Sequence, residues 1–144
     1  MANANTPQGL RPVRYASGAP YNGAANTYFV PAADNTALFI GDPVIVAGSA
    51  DANGVPTATR ATAAGGALWT GVVVGIINTP TVTTTYRPAS TACYILVADD
   101  PNLLFEVQED AVGGALAAAD VGLNADLIAG TGSTVTGKSA FQLD

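Results

Sequence analysis

Every apolar run in this sequence is short, and each is closed within a few residues by Gly, Pro or an Asp/Asn turn. Sixteen glycines and nine prolines in 144 residues enforce that punctuation. It denies the chain the uninterrupted amphipathic stretches that helices need, and favours short strands joined by turns. Tyr28-Phe29-Val30 stops at Pro31. Residues 37–40 and 44–47 flank a Gly41-Asp42-Pro43 corner, read as two strands or one bent strand. Asn53-Gly54 is a type I′ hairpin dipeptide, which predicts a returning strand over 57–61 with Arg60 facing water. Residues 68–77 form the strongest strand, with Leu68, Val72, Val74 and Ile76 sharing one face. Gly71 and Gly75 fall on the other face and mark a bulge or a close backbone approach.

Further along, 92–97 reads as a strand that buries the lone Cys93, and 99–102 as a tight Asp-Asp-Pro-Asn turn. The next strand points Leu103, Phe105 and Val107 one way, and Leu104, Glu106 and Gln108 the other. Residues 115–121 are the one plausible helix, of about two turns, stopped by Gly122. Residues 131–138 are turn-like, and Phe141 and Leu143 suggest a last strand. The fold class expected is all-β: a small barrel or sandwich with at most one short helix. Residues 1–27 read differently. Pro7, Pro12 and Pro20 forbid a helix, and the only large apolar or aromatic side chains after Met1 are Leu10, Val13, Tyr15 and Tyr21. So sparse a segment cannot offset its own ordering entropy, about 1–2 kcal/mol per residue. A disordered tail and an arm that orders on a neighbour both fit, and the spaced tyrosines favour the arm. The domain division expected is 1–27 as an extended arm and 28–144 as a β-barrel domain.

Composition closes off several functions. Charged residues are 11% of the chain, where roughly 25% is usual, and the net charge is −6. The five basic residues, Arg11, Arg14, Arg60, Arg87 and Lys138, are scattered singly, which argues against a nucleic-acid partner. Without histidine there is no Ser-His-Asp or Cys-His catalysis and none of the common zinc sites, so no catalytic residue, metal or cofactor is expected. Residues 67–77 are too short to span a bilayer, and the first fifteen residues lack the apolar core of a signal peptide. The expectation is a chain made and used in a cytoplasm, with no membrane partner. Asp99, Asp100, Glu106, Glu109 and Asp110 lie within twelve residues, but their spacing does not match an EF-hand loop, and solvated charges are the plainer account. The Gly-rich stretch 64–66 has no phosphate-loop pattern. Residues 132–139 (GSTVTGKS) satisfy the letters of one, yet lack the strand before it and the helix after it. Trp69 is expected to pack in a core or interface rather than to stack on a sugar.

The opening MANANTPQGLRPVRY, the FIGDPV corner at 39–44, the stretch VADDPNLLFEVQED at 97–110 and ADVGLN at 119–124 together resemble small head proteins of tailed bacteriophages. The resemblance covers most of the chain and implies a capsid decoration, or cement, protein of jelly-roll-like or tulip-like β-barrel fold. It implies a non-enzymatic virion component on the outer capsid surface, assembled in a bacterial cytoplasm, whose partners are the major capsid protein and further copies of itself as a homotrimer or homodimer. A head–tail joining or tail protein, or a stand-alone β-sheet binding module, are the other readings. A net charge of −6 sets the chain against the DNA-facing side of a shell. The candidate capsid contacts lie in the arm: Leu10, Tyr15 and Tyr21 in apolar pockets, Arg11 and Arg14 on acidic shell surface.

Overall fold

The computed structural model describes residues 5–63, 66–110, 112 and 114–144. Residues 1–4 of the expected arm, Ala64 and Gly65 of the Gly-rich stretch, and Gly113 lie outside them. Among the described residues nine strands run β1 (Arg11–Tyr15), β2 (Asn26–Val30), β3 (Pro43–Ala50), β4 (Pro56–Arg60), β5 (Gly71–Ile76), β6 (Cys93–Ala98), β7 (Leu103–Glu106), β8 (Leu127–Ile128) and β9 (Gln142–Leu143). Five of them close a barrel in the order β2-β4-β3-β5-β6, with β6 returning to β2. All contacts are antiparallel except β2–β4, which is parallel at Phe29 and Thr57. Closure removes the unpaired edges that an open sheet of Val-rich strands would expose.

Two cores follow from two covered faces of the same strands. Tyr28, Val30, Leu38, Val44, Val73, Ile95 and Val97 fill the barrel. Outside its wall, Val72 packs with Leu10 and Phe141, joined by Phe105, Val107 and Leu127. The neighbours Val72 and Val73 are therefore both fully buried, on opposite sides of one strand. The second core is roofed by two small ribbons, β1–β7 and β8–β9, each antiparallel.

This arrangement corrects the expected arm. Residues 11–15 pair with 103–106 of the same chain, and Leu10 is buried in its own second core. The physical reason is that β7 offers a free edge and an apolar side in its own molecule. Main-chain groups of β1 and the one buried leucine of the segment find their partners there. The boundary at 27/28 also falls inside β2 rather than before it.

Local expectations divide. The Gly-Asp-Pro corner is present, with Gly41 at φ +98° and the buried Asp42 carboxylate accepting the Phe39 N–H at 2.9 Å. The hairpin at Asn53-Gly54 is not type I′, because only Gly54 has positive φ. Asp51 accepts the N–H groups of both Asn53 and Val55, which holds the preceding residues right-handed. Arg60 is half-buried rather than free in water, its guanidinium 5.8 Å from the Phe141 ring centroid. The strand expected from residue 68 begins at Gly71, where a Cβ would come within 2.5 Å of the Ala98 carbonyl. A register shift between Val73 and Gly75 supplies the bulge as well. The expected helix shrinks to one 3-10 turn, Ala118–Asp120, and Gly122 at φ +88° ends it.

Candidate functional site

The five expected contact residues are distributed over the fold rather than along a free arm. Leu10 is inside the protein. Arg11 is exposed and forms an ion pair with Glu106 across the β1–β7 ribbon. Tyr15 and Tyr21 lie together, ring centroids 6.4 Å apart, with Tyr15 donating to Asn22 and Tyr21 to the Ala24 carbonyl. Burial, followed by the neighbouring Tyr15, raises the Tyr21 hydroxyl above its ordinary pKa. Arg14 is exposed on β1. These side chains decorate a folded ribbon.

The carboxylates of 99–110 are not gathered. Asp99 accepts hydrogen bonds from Tyr28, at 2.8 Å, and from Asn26. Asp100 caps its own turn through Asn102 N–H, Glu106 holds Arg11, Glu109 accepts Leu116 N–H, and Asp110 accepts Val112 N–H. Burial, then the hydrogen bond to Asp99 and its charge, push the Tyr28 hydroxyl up to about 12. Among the described residues no three Asp, Glu, Cys or His side chains converge as metal ligands. Lys138 of the GKS tripeptide donates to Gln8 Oε1 at 2.7 Å, and its loop is a turn with no helix following.

The group that sequence reasoning passed over is Arg87, which is completely buried. Its guanidinium donates to four main-chain carbonyls: Nε to Thr91, Nη1 to Thr36, and Nη2 to Pro31 and Asp34, at 2.6–2.9 Å. The Asp34 carboxylate stands 3.7 Å away and accepts Thr59 Oγ1 and Thr36 N–H. One cation thus ties the 31–36 loop to the 87–91 segment. It has no open approach for a ligand, so its role is structural. Nothing in its Thr- and Pro-rich surroundings signals this from sequence.

What remains accessible is an apolar face on the second-core side. Leu68, Trp69, Leu104, Leu116, Val121 and Leu123 are all exposed large hydrophobics, with Val121 84% and Leu68 79% accessible. They line three open hollows that share Ala125 and adjoin along Leu127, Leu143 and Asp126. Trp69, expected to be packed, sits in a loop with its ring edge toward Phe105, centroids 5.4 Å apart, and is 39% accessible. Every residue from 114 to 126 is exposed. That segment is held by hydrogen bonds, among them Leu116 N–H to Glu109, Leu123 N–H to Asp120 and Asp144 N–H to Asp126.

Comparison with protein-family models, with curated proteins and with solved structures finds no match to this chain.

Proposed function

We propose that this protein is a structural component of a tailed-phage particle that binds the outer surface of the assembled capsid and cements neighbouring capsomers against internal DNA pressure. The observation that carries the reading is the set of six large exposed apolar side chains that line three adjoining hollows beside the closed barrel. Such a surface suits a protein whose working state is covered by another molecule. The resemblance of the 39–44, 97–110 and 119–124 stretches to phage head proteins supports the choice of partner. Net negative charge supports the outer rather than the DNA-facing side. Attachment through a preformed face replaces attachment through a free arm, and a rigid ligand of the assembled shell stabilises that shell by mass action.

The test is co-sedimentation of the purified chain with phage shells stripped of accessory proteins, followed by reconstruction of the decorated particle. Added protein should raise the temperature at which DNA-filled shells open, and density should lie on the outer surface between capsomers. No retention by shells, or density confined to the tail or the shell interior, would overturn the reading.

A further inference from the structure

The apolar face has a one-signed border. Four exposed carboxylates, Asp100, Asp120, Asp126 and Asp144, line the hollows around Ala125, and Asp99 lies half-buried beside them. None of the five basic side chains lines these hollows. Arg87 is buried, Arg60 covers Phe141, Arg11 holds Glu106, Lys138 holds Gln8, and Arg14 is on β1. A second copy laid face to face would therefore set carboxylate against carboxylate while its leucines met, since a two-fold contact repeats the same patch on both sides. A partner that supplies cations around apolar anchors has no such conflict.

We infer that this face docks a basic amphipathic segment of the shell protein: apolar side chains seated among Leu68, Trp69, Leu116 and Leu123, with lysine or arginine set against Asp100, Asp120, Asp126 and Asp144. The inference deepens the shell-binding reading, and rests on it for the source of the segment. Its chemistry combines apolar burial for affinity with charge complementarity for orientation and association rate.

Trp69 is the sole tryptophan of the chain and lies in the face, so its emission reports occupancy directly. The full-length protein is titrated with three short synthetic peptides: leucine with lysine, leucine with glutamate, and serine with lysine. The leucine–lysine peptide should shift Trp69 emission saturably, with affinity falling as salt is raised. D120N/D126N should weaken it by roughly threefold to tenfold. L116S/L123S should abolish it while leaving the unfolding temperature unchanged, because both side chains are exposed. Equal binding of the glutamate peptide, equal binding of the serine peptide, or self-association that shifts Trp69 emission without any peptide would each overturn the inference. Shells provide the separate arm. If shells retain L116S/L123S as well as the parent chain, this face is not the docking face although shell binding stands. If the leucine–lysine peptide binds and shells do not, the face's chemistry stands and the shell is overturned as its source.

Discussion

Gly9 and Gly41 meet backbone to backbone. A Cβ on Gly9 would lie 2.6 Å from the Gly41 carbonyl oxygen, and one on Gly41 would lie 3.1 Å from Gly9 Cα. Both residues have positive φ, +71° and +98°, and beside them Leu10 N–H donates to the Gly41 carbonyl at 3.0 Å. This contact seats the N-terminal segment on the barrel at the Gly-Asp-Pro corner.

Gly41→Ala is expected to lose roughly 2 kcal/mol or more, combining left-handed strain with overlap against fixed backbone. Gly48→Ala, where φ is +77° but no atom lies within 4 Å of the added Cβ, should lose distinctly less. Urea unfolding of the two variants checks the difference. Hydrogen exchange at Leu10 N–H should accelerate in the first and not in the second.

Leu10→Ala removes a buried side chain from the core it shares with Val72 and Phe141. A loss of about 2–4 kcal/mol is expected, the usual cost of such a cavity. Deletion of residues 2–20 goes further, because it strips β1 from β7 and uncovers that core. The expected product aggregates or unfolds without cooperativity, as read by light scattering and circular dichroism. A soluble remainder with parental stability would show that the ribbon contributes nothing.

Arg87→Met removes the guanidinium donor from the carbonyls of Thr36 and Thr91, and from those of Pro31 and Asp34, which keep the N–H groups of Asp34 and Ser90, and it leaves the Asp34 carboxylate without its cation. Removing one member of a buried, hydrogen-bonded charge set costs about 3–5 kcal/mol. Differential scanning calorimetry should show a large fall in the unfolding temperature. The apolar face lies elsewhere, so Trp69 emission of the folded fraction should not move.

Tyr28 gives the fold a base-sensitive element. Its folded pKa, about 12, lies above the ordinary value of 10.0, so the folded state holds this proton more tightly. Its contribution is complete below pH 10 and is lost as pH rises from about 10 to 12. Stability measured in urea across that range should fall more steeply for the parent than for Tyr28→Phe. Parallel curves would refute the assignment.

Strand positions around 44–46, 57–60, 93–98 and 103–106 were legible because period-two alternation and turn residues act over a few residues. The burial of Cys93, a turn at Pro101-Asn102 (closed one residue later than read, between Asp100 and Leu103) and the stop at Gly122 were legible on the same ground. The arm was misread because its sparse apolar content gives no local sign that β7 lies within reach. Arg87 was passed over because nothing local to a lone arginine shows that four carbonyls from separate loops converge on it. The apolar face was missed for a related reason: Leu68 and Trp69 read as the start of a strand, and 115–121 as a short helix.

By itself, then, the sequence determined the class, an all-β chain of short strands with no histidine chemistry, because propensity, turn geometry and composition are properties of neighbouring residues. Which strands close the barrel, that Val72 and Val73 are both covered, that the first strand pairs within its own molecule, and which apolar side chains stay uncovered all emerge from the assembled fold. Those outcomes depend on pairings between residues as far apart as Arg11 and Glu106, whose closure is settled by the competition of all strand edges and apolar faces at once.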